Sequence, residues 1–67
     1  LEVIMPIAQI YMIEGRSEEQ KAKVIEKVSD ALNEATGAPK EAIRIIIQEV
    51  PSENWGKAGV TAKSEGR

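Results

Sequence analysis

The chain has 67 residues, a net charge of −2, and neither cysteine nor histidine. A chain this short forms one small domain at most, and without disulfides it needs partner subunits to be stable. The interleaved charges argue against a nucleic-acid-binding protein, the lack of cysteine argues against a secreted protein, and the short apolar runs argue against a membrane protein. We therefore expect a cytoplasmic oligomer with no metal.

The first predicted element is a β-strand at residues 6–13, PIAQIYMI, which is rich in apolar and β-branched residues. Both of its faces are largely apolar, one with Ala8, Ile10 and Met12 and the other with Ile7, Tyr11 and Ile13. Strands that are buried on both sides have this pattern. The next residues, EGRS, predict a turn with Gly15 as its flexible point.

A helix is predicted after this turn. Ser17 is a suitable N-cap, and Ser17 with Gln20 three residues later fits a capping box. Helical spacing gives the helix an apolar stripe made of Val24, Ile25, Val28, Ala31, Leu32 and Ala35. Charged side chains, Lys21 among them, are expected to cover the solvent side. Gly37 is placed to end the helix, and Pro39 prevents its continuation.

A second strand is predicted at residues 42–50, AIRIIIQEV, with Ile43, Ile45 and Ile47 on one face. Two strands joined by one helix indicate a right-handed parallel βαβ unit. The tail after it is expected to form a loose hairpin. The predicted fold class is therefore α/β (α+β), a single βαβ unit with parallel strands plus a C-terminal hairpin. One helix covers one face of two strands, so we expect a homo-oligomer that covers the other face and pairs edge strands between subunits.

Three blocks of the sequence, PIAQIYMIEGRSEEQK, GAPKEAIRIIIQEV and NWGKAG, resemble the 4-oxalocrotonate tautomerase family of the tautomerase superfamily. The resemblance runs without a gap from Pro6 to about Gly59. It implies a tautomerase (MIF-like) fold, a hexamer built as a trimer of dimers, and an isomerase that needs no cofactor. The implied reaction converts unsaturated 2-hydroxy acids such as 2-hydroxymuconate into conjugated 2-keto acids during aromatic-compound breakdown in bacteria.

From composition alone, Pro6 is interpreted as an ordinary proline at the start of an edge strand. The resemblance instead implies that Pro6 is amino-terminal and acts as general acid and base. A free prolyl amine suits that role, because α-amino groups titrate at roughly pH 7.7–8.0 and apolar or cationic surroundings lower their pKa. Residues 1–5 would then be an N-terminal extension outside the native mature chain, and residues 6–67 the tautomerase domain. Codons for residues 1–4 can spell a bacterial ribosome-binding sequence, which agrees with that interpretation.

From its position alone, Arg16 is a solvated turn residue, whereas Arg44 in an apolar strand needs solvent, an interface or an anion. The resemblance assigns Arg16 to the distal carboxylate of a dicarboxylate substrate. It assigns Arg44, from a neighbouring subunit, to the 2-oxygen and adjacent carboxylate, a bidentate task that suits a guanidinium. Trp55, otherwise a packing residue, and Ile13 are implied to line the substrate pocket. Relatives often carry phenylalanine in place of Trp55 and can carry a small hydroxyl residue in place of Ala42.

Two alternatives stay open at this point. A related enzyme could run hydration, dehalogenation or decarboxylation on the same scaffold, which a panel of substrates would distinguish. The chain could also be an oligomeric binding protein in which residues 1–5 block the Pro6 nitrogen.

Overall fold

The computed structural model describes residues 5–66, so the part of the predicted extension at residues 1–4 lies outside the described residues. In chain order the elements are β1 (Ile7–Ile13), α1 (Glu18–Thr36), a 3₁₀ turn (Lys40–Ala42), β2 (Arg44–Val50), a 3₁₀ turn (Ser52–Asn54), β3 (Gly56–Lys57), β4 (Val60–Thr61) and a 3₁₀ turn (Lys63–Glu65). β1 pairs with β2 in parallel, and β3 pairs with β4 in antiparallel fashion. The predicted βαβ unit with a C-terminal hairpin is confirmed.

The helix α1 forms where the sequence predicts it because both of its ends are satisfied. The Ser17 hydroxyl accepts a hydrogen bond from the Gln20 backbone N–H at 3.1 Å, and the Gln20 side chain accepts one from the Ser17 N–H at 3.0 Å. Gly37 ends the helix with φ at 78° and donates its N–H to the Asn33 carbonyl at 3.0 Å. The predicted capping box and C-terminal glycine are therefore confirmed. Within residues 5–66, no helix has the length and apolar character needed to cross a bilayer.

The second strand begins at Arg44 and not at residue 42, which corrects the predicted boundary. Residues Lys40–Ala42 form a 3₁₀ turn after Pro39, whose φ is −67°. The turn is closed by the Ile43 N–H, which donates to the Lys40 carbonyl at 3.1 Å. Ala42 and Ile43 conceal the end of this turn, because they fit the strand pattern of the residues that follow equally well.

In a single chain, α1 covers one face of the two-stranded sheet and leaves the other face open. On the open face Ile7 is 66 % exposed, Tyr11 58 % and Ile46 48 %. The covered face is only half-buried, and the buried apolar residues of the described chain are Ala38, Ile43 and Ala62. The two apolar faces predicted for the strands are present, but one chain buries only one of them.

The apolar stripe predicted for α1 is wider than the part of it that packs against the sheet. Val24, Val28 and Leu32 are half-buried, whereas Ile25 is 41 % exposed and Ala31 and Ala35 are also exposed. The stripe therefore has an apolar flank that this chain does not cover by itself.

Candidate functional site

The candidate site residues lie at opposite ends of the parallel sheet. Pro6 precedes β1, and its carbonyl accepts a hydrogen bond at 3.0 Å from the backbone N–H of Arg44, the first residue of β2. Ile13 is the last residue of β1, and Arg16 lies in the turn that follows it. Because a strand advances by about 3.3 Å per residue, the two ends of β1 lie roughly 20 Å apart. One chain therefore brings Pro6 to Arg44 but not to Arg16.

The guanidinium of Arg44 is held by the backbone that precedes it. Its Nη1 donates to the Glu41 carbonyl at 2.6 Å and to the Ile43 carbonyl at 3.3 Å. The side chain is exposed, and strand alternation places it on the open face of the sheet with Ile46. This position agrees with the prediction that Arg44 needs solvent, an interface or an anion.

An ion pair links the 3₁₀ turn at Lys40–Ala42, which precedes Arg44, to α1. Lys40 Nζ lies 2.5 Å from Asp30 Oδ1. The hydrogen bond and positive charge of Lys40 hold the pKa of the Asp30 carboxyl below its usual value, and Asp30 in turn raises the pKa of Lys40. The pair therefore stabilises the contact between α1 and the turn whose carbonyls orient the guanidinium.

A cavity of about 190 Å³ opens between the end of β1 and the first turns of α1. It is lined by Met12, Arg16, Gln20, Lys21 and Val24. The lining residues thus combine apolar side chains with an arginine and a lysine. Such a lining suits a carboxylate that is attached to a hydrocarbon chain.

The position of Lys21 differs from the prediction, which placed this residue on the solvent side of the helix. Its Nζ lies 2.9 Å from Glu49 Oε1, and the two side chains are only 29 % and 33 % exposed. Glu49 is in β2, so the pair joins the helix to the sheet. Sequence reasoning gave neither residue a role, although alternation along β2 places Glu49 on the same covered face as Ile45 and Ile47.

The two predicted pocket residues, Ile13 and Trp55, belong to the same end of the sheet as Arg16. Ile13 is half-buried at the end of β1, where it pairs with Val50 at the end of β2. Trp55 is half-buried after the turn that follows β2, and its carbonyl accepts a hydrogen bond from the Ala62 N–H at 2.7 Å. Pro6 and Arg44 thus belong to one end of the sheet, and the remaining candidates belong to the other.

Comparisons with known proteins show which family of proteins the chain resembles. The family model described as "Tautomerase enzyme" matches residues 6–64. A 2-hydroxymuconate tautomerase of Pseudomonas putida is 71 % identical over 63 residues, which are 94 % of this chain and 100 % of that protein.

Solved structures show the same similarity. A structure of a 4-oxalocrotonate tautomerase isozyme from Methylibium petroleiphilum has a TM-score of 0.90 and 64 % identity, covering 92 % of this chain and 100 % of that one. A heterohexamer 4-oxalocrotonate tautomerase from Chloroflexus aurantiacus has a TM-score of 0.87 and 41 % identity, covering 94 % of this chain and 100 % of that one.

Proposed function

The chain belongs to the tautomerase family, and we propose that it isomerises unsaturated 2-hydroxy acids such as 2-hydroxymuconate to conjugated 2-keto acids in the cytoplasm. The substrate class is supported by the 71 % identity to a 2-hydroxymuconate tautomerase over that protein's whole length. The observation that carries the proposal is the position of Pro6 and Arg16 at the two ends of one strand, which has an edge that no strand among residues 5–66 occupies.

Pro6 is the proposed general base and acid, in a mature chain that begins at this residue. The free amine takes the proton from the 2-hydroxyl group, and the C–O bond becomes a carbonyl while an electron pair moves along the conjugated system. The prolyl ammonium then returns the proton to a carbon further along that system. Residues 1–5 would have to be removed first, because the nitrogen of an internal proline is an amide.

The two arginines would bind the two ends of the substrate. Arg16 binds the distal carboxylate, and Arg44 stabilises the negative charge that develops on the 2-oxygen. Since Nη1 of Arg44 is engaged by backbone carbonyls, its Nη2 and Nε present the N–H groups for the substrate. Both guanidinium groups remain charged through the reaction.

The distance between Pro6 and Arg16 in one chain supports a site shared between subunits. Within residues 5–66 the main sheet has two strands, so β1 has an edge that no described strand occupies. If β1 of two copies paired in antiparallel fashion at this edge, the start of each strand would lie beside the end of the other. Pro6 of one copy would then meet Ile13 and Arg16 of its partner.

Further subunits would pack on the open face of the sheet. Arg44 lies on that face with the exposed side chains of Ile7, Tyr11 and Ile46, so a further subunit packed there would receive its guanidinium. Two kinds of contact, one at strand edges and one at sheet faces, suit a hexamer built as a trimer of dimers. Trp55 would then wall the pocket and exclude water.

The test compares three proteins with 2-hydroxymuconate: the chain that begins at Pro6, the same chain with Pro6→Ala, and the chain that retains residues 1–5. We expect tautomerisation by the first protein and a loss of kcat in the other two, with all three assembled to the same size. Equal activity in the chain that retains residues 1–5 would exclude Pro6 as the base. Absence of tautomerisation by all three proteins would leave a binding protein or a different reaction as the function of this fold.

A further inference from the structure

We propose that Lys21 is a positioning residue, which keeps the Glu49 carboxylate paired and so leaves the Arg16 guanidinium free for the distal carboxylate of the substrate. The inference rests on the proposed function, in which Arg16 binds that carboxylate. It adds two residues, on the helix and the second strand, that would control the preference for a dicarboxylate.

The first step concerns where the three charged groups lie. Arg16 and Lys21 line the same cavity, together with Met12 of β1. Met12 stands directly beside Glu49 in the register of the parallel sheet. Residues in register share a face, and neighbouring strands are about 4.8 Å apart. Glu49 is therefore next to the cavity that Arg16 lines.

The second step concerns what Glu49 would do without its partner. Carboxylates are preferred ligands of a guanidinium, which remains charged at every working pH. An unpaired Glu49 carboxylate in this half-buried position would compete with the substrate carboxylate for Arg16. Lys21 prevents this competition, because its Nζ holds Glu49 Oε1 at 2.9 Å.

The same ion pair also joins α1 to β2, so a purely structural contribution is the competing explanation. The two explanations differ in what happens when each half of the pair is removed. A structural role is lost equally with either half. An electrostatic role depends on the charge that remains, because Lys21→Met leaves an anion beside Arg16 whereas Glu49→Gln leaves a cation.

The experiment uses the assembled protein that begins at Pro6 and two substrates, 2-hydroxymuconate and the corresponding mono-acid dienol without the distal carboxylate. The readout is the ratio of kcat/KM for the diacid to kcat/KM for the mono-acid. We expect Lys21→Met to lower this ratio by about five-fold, the size of effect expected for a partly desolvated charge pair. Glu49→Gln should leave the ratio unchanged or raise it, and the double variant Lys21→Met/Glu49→Gln should restore it.

Two further variants make the result specific. Lys23→Met removes the same charge from an exposed position of the helix, and the ratio should not change. Arg16→Ala tests the proposed function itself, since a ratio that stays the same would remove Arg16 from the substrate site. If Arg16→Ala lowers the ratio but Lys21→Met and Glu49→Gln lower it equally, the inference about Lys21 is overturned and the proposed function stands.

Sedimentation velocity checks that each variant is assembled. If Lys21→Met does not assemble, Glu49→Gln decides alone, and a fall in its ratio overturns the inference. Salt provides an independent check on assembled protein. At about 1 M ionic strength the screening length is about 3 Å, so the loss caused by Lys21→Met should diminish. A loss that increases with salt would contradict an electrostatic role.

Discussion

Arg44 has part of its guanidinium already fixed before any substrate arrives. Nη1 is bonded to the carbonyls of Glu41 and Ile43, so the remaining N–H groups are oriented by the backbone. Preorganised donors of this kind stabilise developing charge without reorganisation during the reaction. We expect Arg44→Lys to lower kcat by roughly 10²-fold, since lysine keeps the charge and loses the planar fork. Steady-state kinetics with 2-hydroxymuconate measures this, and an unchanged kcat would remove Arg44 from the reaction; the exposed Lys57→Arg serves as the control.

The ion pair between Asp30 and Lys40 predicts a pH dependence at the residue scale. The pKa of Asp30 is lowered in the folded chain by the hydrogen bond and charge of Lys40. Its stabilising effect is therefore present above the unfolded pKa of Asp30 and is lost as the pH falls through the folded pKa. In a carbon-detected NMR titration, the Asp30 midpoint should move upward in Lys40→Met. Because both side chains are well exposed, raised salt should move it in the same direction, and a midpoint unaffected by Lys40→Met would contradict the pairing.

Single residues differ in how far their sequence context defines their role. Arg44 interrupts an apolar strand, so its need for a polar partner is visible in the sequence. Lys21 has no such signal, because it fits the charged side of an amphipathic helix and its partner is 28 positions away in the chain. Only the packing of α1 on β2 makes the two residues neighbours.

At the scale of elements, the start of α1 depends on the capping box of Ser17 and Gln20. Ser17→Ala removes the side-chain acceptor for the Gln20 N–H, and we expect it to lower the free energy of unfolding by about 1 kcal/mol. Urea denaturation at fixed protein concentration measures this change. Ser29→Ala, in the middle of the same helix, is the matched control and should be neutral or slightly stabilising. A loss as large in Ser29→Ala as in Ser17→Ala would show that the cap has no special contribution.

The elements were predictable from the sequence wherever local chemistry determines them. The helix and its two ends follow from Ser17, Gln20 and Gly37, which act on backbone groups a few residues away. The start of β2 was misplaced because Ala42, the last residue of the 3₁₀ turn Lys40–Ala42, and Ile43 continue the strand pattern of the residues that follow. A short turn and an extended strand differ there in backbone hydrogen bonds, and composition does not report these bonds.

At the scale of the whole molecule, two residues of the proposed site are separated by the length of a strand. The sequence places Pro6 and Arg16 only ten positions apart, yet β1 between them is extended and separates them. The catalytic groups would come together through contacts between copies, which follow from strand edges and open faces. The sequence predicts that such contacts exist, because one helix leaves an apolar sheet face uncovered, but the packing of the copies depends on their shapes.

The open face of the sheet therefore gives the last prediction. Ile46 lies on this face and is 48 % exposed in the single chain. Burying an isoleucine side chain contributes about 1.5–3 kcal/mol, and this contribution would recur in every subunit of an assembly. Ile46→Lys should instead place a charge in the contact, so we expect smaller species in sedimentation velocity and a lower Tm that depends on protein concentration. Activity should fall with assembly, because Arg16 and Pro6 of one chain are too far apart to act on one substrate. Glu34→Lys changes charge on the exposed side of α1 and should preserve size and activity; an Ile46→Lys protein that stays assembled and active would show that this face is not a subunit contact.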